Sequence, residues 1–321
     1  MTRLVDVDHD SFVFLYPGQG TQRVGMGQWL LQTFAVARQV FDEASETLGY
    51  DLRALCRSGP VEKLTRTRYA QPAIFTCNAA ADAVLRCLGC IPIAAAGHSL
   101  GEFNALVAVG ALDFTDALEL VDRRASLMDR VAAPGLMGAI VGFSTPQVER
   151  LCTSASQGDR LVVALENAPN QIVISGDAAA VERCLDLARR NGARRAVVIP
   201  TSQAFHSPLM EEIVQEWRSV VDGIPLRAPE LTLAVNTTGA VESSAVAIRR
   251  AIVDQMTSRV RWTDCVRSLS RTGTETFVEV GDAKVLSRFH RSMASHGRCL
   301  GMSTRRDLDA VVESALWRVP A

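Results

Sequence analysis

The sequence predicts an α/β fold with a mainly parallel sheet, interrupted by a smaller unit of different rhythm. Short, apolar, β-rich segments at 12–16 and 91–96 each run into a glycine-containing loop and then into a helical segment. Strands that alternate with helices are typical of a parallel sheet covered by helices. Between residues 138 and 199 the pattern becomes β-α-β-β-α-β, which is the order of the ferredoxin-like unit. We therefore expect a large α/β domain with a small inserted subdomain.

The elements of the large domain follow from apolar spacing and turn residues. Apolar residues recur at helical spacing from 26 to about 48, and Gly49 ends that helix. A second helix is expected at 71–88, with Pro72 in the first turn, where proline is tolerated. The remaining expected elements are helices at 102–109, 207–221, 246–256 and 263–272, and strands at 231–236 and 276–280.

The inserted unit has its own complete set of elements. Strands are expected at 138–143, 161–165, 171–175 and 195–199, and helices at 145–155 and 177–191. We assign residues 132–200 to a ferredoxin-like subdomain, and residues 1–131 and 201–321 to a discontinuous large α/β domain. A chain of 321 residues is long enough to bury such a core without metals or disulfides.

Composition argues against several classes of function. The chain has 34 basic and 35 acidic residues, whereas proteins that coat nucleic acid or bind membranes electrostatically need a basic surface. No segment approaches the ~20 apolar residues of a membrane helix. The first ten residues lack the order of a signal peptide, so a cytoplasmic location with eight reduced cysteines is expected. Cys87 and Cys90 form a lone C-x-x-C pair, which is weak support for a metal site.

The segment Gly97-His-Ser-Leu-Gly101 fits the pattern G-x-S-x-G and lies between an expected strand and an expected helix. There the pattern is typical of a nucleophile elbow, a sharp turn that exposes a serine hydroxyl above the sheet edge. The N–H group of Leu100 would face a carbonyl oxygen that becomes negative during the reaction. Ser99 is therefore a candidate nucleophile; the alternative is a glycine-rich turn with an incidental serine.

A serine nucleophile needs a base, and the chain has five histidines. They are His9, His98, His206, His290 and His296. His9 is near the chain terminus, and His98 adjoins the serine at a turn where neighbouring side chains usually point apart. His290 and His296 lie in an arginine-rich, surface-like stretch. His206 precedes an expected helix beyond the inserted unit, from where it can reach over the sheet edge to Ser99. The alternative for His206 is a solvated loop histidine.

Two further features have competing interpretations. The loop from Pro17 to Gly20 follows a strand, but Arg23 stands where the dinucleotide motif G-x-G-x-x-G requires glycine. A better use of this loop is to place the N–H group of Gln19 beside the elbow as half of an oxyanion hole. Arg123 and Arg124 are adjacent on a helix after the elbow, where an arginine could bind a carboxylate or could simply be a surface charge.

Taken in chain order, these segments resemble the malonyl-CoA:acyl carrier protein transacylase family, which includes the acyltransferase domains of polyketide synthases. The similar positions span nearly the whole chain: Tyr16-Pro-Gly-Gln-Gly-Thr-Gln22, Gln71-Pro-Ala73, Gly97-His-Ser-Leu-Gly-Glu102, Arg124, Gly138, Phe205-His-Ser207, Gln255 and Trp262. The resemblance implies an α/β-hydrolase-like large domain with an inserted ferredoxin-like subdomain, in agreement with the pattern of elements.

The resemblance also implies a role for each matching residue. Ser99 would be the acylated nucleophile and His206 its general base, with the N–H groups of Gln19 and Leu100 as the oxyanion hole. Arg124 would pair with the free carboxylate of a malonyl group. The supporting residues are Gln255, whose main-chain carbonyl would orient the histidine, and Asn236, His98 and Phe205. Asp282 departs from the family pattern, since many members have proline there.

The resemblance predicts an acyltransferase that moves a malonyl or related carboxyacyl group from CoA to the phosphopantetheine thiol of an acyl carrier protein. It implies malonyl-CoA and an acyl carrier protein as partners and no metal or other cofactor, and a monomer is expected. Two alternatives remain open, an acyl-carrier-protein thioester hydrolase and a non-catalytic carrier-docking subunit. The sequence leaves open whether the pathway is fatty-acid or polyketide synthesis, and which acyl group and carrier are used.

Overall fold

The structure is a computed structural model that describes residues 12–293 and 297–316. His9, His296 and the expectation for the first ten residues lie outside the described part of the chain. The strands within it are β1 (Phe12–Tyr16), β2 (Pro92–Gly97), β3 (Gly135–Val141), β4 (Leu161–Ala168), β5 (Gln171–Asp177), β6 (Arg195–Ile199), β7 (Thr232–Leu233), β8 (Thr276–Glu279) and β9 (Arg298–Leu300).

Helices make up most of the remaining structure. They are α1 (Gln28–Thr33), α2 (Ala35–Leu48), α3 (Leu52–Ser58), α4 (Val61–Thr65), α5 (Thr67–Cys87), α6 (Gly101–Ala108), α7 (Phe114–Arg130), α8 (Thr145–Ser156), α9 (Ala178–Arg190), α10 (Glu211–Asp222), α11 (Ala245–Asp254), α12 (Trp262–Ser270), α13 (Leu286–Arg291) and α14 (Arg305–Leu316). A 3₁₀ turn, Pro208–Met210, precedes α10. No helix in the described ranges is long and apolar enough to cross a membrane.

A parallel sheet of five strands forms the centre of the large domain. Its strand order is β7-β2-β1-β8-β9, and every neighbouring pair is parallel. All five residues of β1 are buried, because helices cover both faces of the sheet. Burial of each large apolar side chain contributes about 1.5–3 kcal/mol, so a strand such as Phe-Val-Phe-Leu-Tyr belongs at the middle of a sheet. The carboxyl ends of β1 and β2 therefore lie side by side.

A second sheet of four antiparallel strands, in the order β4-β5-β3-β6, is built entirely from residues 135–199. Helices α8 and α9 pack on it through a separate apolar cluster that includes Ile140, Val148 and Leu185. This order of strands and helices is ferredoxin-like. The predicted fold class, an α/β-hydrolase-like domain with a parallel sheet and a ferredoxin-like subdomain, is therefore confirmed.

Some predicted boundaries are wrong. The helix expected at 26–48 is two helices, because Phe34 adopts an extended conformation (φ −119°, ψ 129°) and packs edge-on against Trp29. The helix expected from residue 71 begins at Thr67, so Pro72 lies inside it. The strand expected at 231–236 shortens to Thr232–Leu233, since the following residues turn toward the site. In each case packing overrides the local pattern.

Candidate active site

Ser99 lies at a sharp turn between β2 and α6. Its backbone is in the left-handed region, with φ of 52°. The two flanking glycines are required by contact with backbone: a Cβ on Gly97 would lie 1.8 Å from the carbonyl carbon of Gly101, and a Cβ on Gly101 would lie 2.1 Å from the Tyr16 carbonyl oxygen. The turn thus has the geometry of a nucleophile elbow.

The side chain of His206 reaches this serine from the loop before the 3₁₀ turn. Its Nε2 lies 2.7 Å from Ser99 Oγ, and its Nδ1 lies 2.9 Å from the main-chain oxygen of Gln255. A carbonyl oxygen can only accept, so Nδ1 carries the proton and donates it there. Nε2 of the neutral ring is then the acceptor for the Ser99 hydroxyl, as a general base requires.

His206 is nearly fully buried, with 3% of its surface exposed, and its backbone φ is 56°. Burial lowers the pKa of His206 to about 3, and the positive charge of Arg124 adds to the effect. The imidazole is therefore neutral at physiological pH and free to accept a proton. Ser99 and His206 both have left-handed backbone conformations. The backbone turns that carry them, as well as side-chain packing, therefore determine the distance between Oγ and Nε2.

Arg124 is the third group at this point. It is on α7 and is 1% exposed, whereas its neighbour Arg123 is exposed. Its Nη1 donates to Gln71 Oε1 at 2.7 Å, and its Nη2 donates to Gln255 Oε1 at 2.8 Å and to Ser99 Oγ at 3.2 Å. Burial lowers the pKa of Arg124 to about 10. A buried cation thus stands beside the serine hydroxyl, held by neutral oxygens.

Beneath these residues, the carboxylate of Glu102 connects the supporting side chains. Its Oε1 accepts the main-chain N–H group of Asn236 at 2.8 Å, and its Oε2 accepts the side-chain amide of Gln255. Asn236 in turn accepts the N–H group of Ser99 at 2.7 Å, and Gln255 donates to the Ser99 carbonyl at 3.1 Å. Burial raises the pKa of Glu102 to about 7, against the opposing effect of these bonds and of the Arg124 charge.

The loop from Pro17 to Gly27 lies against the elbow. A Cβ on Gly18 would lie 2.4 Å from the His98 carbonyl oxygen and 3.6 Å from the Leu100 nitrogen. The next residue, Gln19, is therefore close to Leu100, and its side chain is fixed by bonds with Thr67 at 3.1 Å and Gln71 at 3.2 Å. The two segments expected to supply oxyanion-hole N–H groups are thus adjacent.

His98 points away from the serine and toward the small sheet. Its Nε2 lies 2.7 Å from Asn167 Oδ1 and its ring packs edge-on against Trp262, while burial lowers its pKa. His290, expected on an arginine-rich surface, is instead buried on α13, with its ring against Phe277. That expectation is wrong, because α13 packs its histidine face onto the large sheet.

A cavity of about 750 Å³ opens between the two sheets and includes Ser99, His206 and Arg124 in its lining. Its volume is typical of sites for organic ligands. The apolar part of the lining comes from both domains and includes Met128, Met137, Val173, Ile199, Phe205 and Phe289. The described residues contain no group of three or more His, Cys, Asp or Glu that could hold a metal ion.

The sequence predicts Asn236 and Gln255 as supporting residues of Ser99 and His206, but it gives no role to Glu102, Gln71 or Asn167. Glu102 occurs in the first turn of the helix after the elbow, where acidic residues are favoured whatever their role, so its position gave no signal. Nothing local distinguishes Asn167, because its partner His98 lies 69 positions earlier in the chain.

A serine on an elbow, a neutral histidine at hydrogen-bond distance and adjacent backbone N–H groups define the class of enzymes that transfer acyl groups through a serine. Comparison with known proteins is consistent with this class. The family model described as Acyl transferase domain matches residues 13–304. The malonyl CoA-acyl carrier protein transacylase of Bacillus subtilis (strain 168) is 35% identical over 307 residues, which cover 95% of this chain and 97% of that protein.

Solved structures with a similar fold indicate the same family. An acyl carrier protein S-malonyltransferase from Vibrio cholerae O1 biovar eltor has a TM-score of 0.90 and 38% identity, over 94% of this chain and 99% of that one. The complex PlMCAT:AntF, a type II PKS acyl-carrier protein with its malonyl-transacylase, has a TM-score of 0.92 and 35% identity, over 95% and 99%. The chain therefore belongs to the acyl transferase domain family and, within it, to the malonyl CoA-acyl carrier protein transacylases.

The close packing at the elbow predicts that Gly101→Ala disrupts the fold around Ser99. The new Cβ would meet backbone at 2.1 Å, so the free energy of unfolding should fall by about 3 kcal/mol or more. Gly223→Ala is the matched control, since its nearest heavy atom is at 3.5 Å and its φ is −79°. That control should change stability by less than about 1 kcal/mol in urea denaturation. Equal stability of the two variants would contradict the description of the elbow.

The burial of His206 predicts that its ring does not titrate between pH 8 and pH 5. With a pKa near 3 instead of about 6.5, the folded state binds no proton in this range. The unfolded state does, so His206 favours folding above pH 6.5, and that stability is lost as the pH falls from 6.5 toward 3. Imidazole ¹⁵N shifts measure the first effect, and denaturation of wild type against His206→Gln measures the second. A midpoint near pH 6.5 for His206 would contradict both.

Proposed function

We propose that this protein transfers a malonyl group from CoA to the phosphopantetheine thiol of an acyl carrier protein, with Ser99 as the covalent carrier. The observation that carries the substrate assignment is the position of Arg124, a buried guanidinium 3.2 Å from Ser99 Oγ. Its Nε–H is buried and has no hydrogen-bond partner among the described residues. An acyl group that ends in a carboxylate would pair with this cation, whereas burial of an unpaired charge is costly.

The first half-reaction forms the acyl-enzyme. His206 Nε2 takes the proton of Ser99 as Oγ attacks the thioester carbonyl, and the negative oxygen is stabilised by the N–H groups of Gln19 and Leu100. The loss of one such donor lowers the rate about 10²–10³-fold in related chemistry. The carbon–sulfur bond then breaks, and CoA leaves with the proton returned by His206. The carbonyl of Gln255 holds the imidazole in the required tautomer throughout.

The second half-reaction returns the enzyme to its starting state. His206 takes the proton of the pantetheine thiol as its sulfur attacks the malonyl-serine ester, and Ser99 leaves with that proton. Asn236 holds the Ser99 N–H group, and His98 and Phe205 shape the cavity beside it. Both half-reactions balance without a redox or metal cofactor, so none is proposed.

The proposal extends to the cellular location and the domain boundaries of the protein. All eight cysteines are free thiols, and reduced cysteines fit a cytoplasmic location. We also propose domain boundaries of 1–131 with 201–321 for the catalytic domain and 132–200 for the ferredoxin-like subdomain. The confinement of the antiparallel sheet to residues 135–199 supports these limits.

The proposal predicts a malonyl-serine intermediate. After wild-type protein is mixed with malonyl-CoA, intact mass spectrometry should show one added malonyl group, and peptide mapping should place it on Ser99. Ser99→Ala should show no added mass, because it lacks the attacking oxygen. A wild-type protein that remains unmodified would contradict the proposed function.

Arg124 should determine which acyl groups are used. Truncation of one partner of a buried charge pair costs about 2–5 kcal/mol, so Arg124→Ala should lower kcat/KM for malonyl-CoA about 100-fold or more. Acetyl-CoA has no carboxylate, so its kcat/KM should fall far less, through the lost contacts of Arg124 with Ser99 and Gln255 alone. The matched control Arg123→Ala removes an exposed charge and should preserve both activities. Parallel loss of malonyl and acetyl turnover in Arg124→Ala would contradict the carboxylate role.

The ratio of transfer to hydrolysis separates the proposed transferase from a thioester hydrolase. With acyl carrier protein present, malonyl-carrier should accumulate faster than free malonate, because the apolar cavity favours the pantetheine thiol over water. A time course that follows both products measures this ratio. Predominant release of malonate would instead favour the hydrolase, and carrier binding without any acyl-enzyme would favour a docking subunit.

A further inference from the structure

The segment that follows β8 contacts both ends of the loop that carries Gln19. We propose that an ion pair between Asp282 in this segment and Arg23 in the loop positions the loop, and with it the Gln19 N–H group, for acyl transfer. Asp282 and Arg23 are thus positioning residues that act through Gln19. This inference rests on the proposed function, because it assigns a cause to the geometry of the proposed oxyanion hole.

Asp282 provides a buried anchor for the second half of the loop. Its side chain is 1% exposed, and both of its carboxylate oxygens lie 2.7 Å from Arg23 Nη2. Its Oδ2 also accepts the main-chain N–H group of Gly27 at 2.9 Å, where the loop ends and α1 begins. A buried carboxylate is costly unless it is paired, so this one strongly favours the conformation in which Arg23 and Gly27 approach it.

Gly281, the residue before Asp282, packs on Asn78, and Asn78 binds the start of the loop. The Nδ2 of Asn78 donates to the Pro17 carbonyl at 3.0 Å and lies 3.1 Å from Asn104 Oδ1. Gly281 packs directly on Asn78, since a Cβ on Gly281 would lie 2.2 Å from Asn78 Oδ1. Residues 281 and 282 therefore contact the anchors of both ends of the loop.

Gln19 lies between these two anchors. Gly18 packs on the elbow, and the Gln19 side chain is held by Thr67 and Gln71. Loss of the ion pair would release only the second half of the loop, and these contacts would remain. We therefore expect about a tenfold loss in rate, smaller than the 10²–10³-fold loss caused by removal of an oxyanion donor.

The alternative role for Arg23 is direct binding of a phosphate of CoA, since its side chain is 54% exposed. The two roles differ in what they require of the substrate. A positioning residue affects any malonyl thioester, because it acts on the transition state through the loop. A phosphate-binding residue affects KM for malonyl-CoA and is indifferent to a thioester that has no phosphate.

The test is pre-steady-state acylation of Ser99 by malonyl-CoA and by malonyl-N-acetylcysteamine, which has no phosphate. Arg23→Ala and Asp282→Asn should each lower the saturating acylation rate about tenfold with both substrates and change KM less than twofold. The double variant should be no slower than the slower single variant, because both remove one interaction. Arg23→Lys should recover part of the loss.

Arg160→Ala is the matched control. Arg160 is 51% exposed and pairs with Asp177 at 2.9 Å in the small subdomain, away from the loop. Its removal should leave the acylation rate unchanged. Thermal unfolding of every variant is measured as well, and rates are compared only below the melting transition, so that a slower rate reflects the site and not unfolded protein.

Three outcomes would overturn the inference. An Arg23→Ala variant with the wild-type rate would remove the positioning role, even if its melting temperature fell. A loss confined to malonyl-CoA and to KM would assign Arg23 to phosphate binding. Additive losses in the double variant would show that the two residues act separately. Absence of acyl-Ser99 in the wild type is a different result, because it contradicts the proposed function itself.

Discussion

The site depends on one buried carboxylate, that of Glu102, and on the two residues bound to its two oxygens. Through Asn236 it fixes the N–H group of Ser99, and through Gln255 it fixes the serine carbonyl and the histidine. Hydrogen bonds in a low-dielectric interior strengthen one another, and a partly satisfied network is costly. Glu102 thus makes the geometry of the site part of the core, because a shift of either donor would leave one buried carboxyl oxygen without a partner.

The same carboxylate explains how a buried arginine is tolerated beside the serine. The charges of Glu102 and Arg124 oppose each other, since each moderates the effect of burial on the pKa of the other. They do not meet directly, because the side chain of Gln255 lies between them and binds both. The interposed amide of Gln255 stabilises the cation while Nη2 of Arg124 stays 3.2 Å from Ser99 Oγ.

Local sequence patterns predicted the fold to the extent that they reflect burial. The all-apolar β1, the alternation of strands and helices, and the β-α-β-β-α-β order of the insert identified both sheets. The helix boundaries were harder to predict from sequence. The separation of α1 from α2 depends on the contact of Phe34 with Trp29, and the early start of α5 depends on the burial of most of that helix. These are consequences of tertiary packing, which local propensity does not contain.

The residues of the candidate site likewise differ in how far the sequence could predict them. Ser99 could be predicted because an elbow has a local pattern, and His206 because its loop lies beyond the insert at the correct edge of the sheet. The resemblance also named Asn236 and Gln255 as supporting residues, but Glu102 and the pair of Arg23 and Asp282 have no local signal. Their bonds join positions far apart in sequence: 134 positions separate Glu102 from Asn236, and 259 separate Arg23 from Asp282. Catalytic groups must have particular chemistry and so leave a signature in sequence. Supporting groups need only a donor or acceptor at one point in space, which many residue types at many positions could supply.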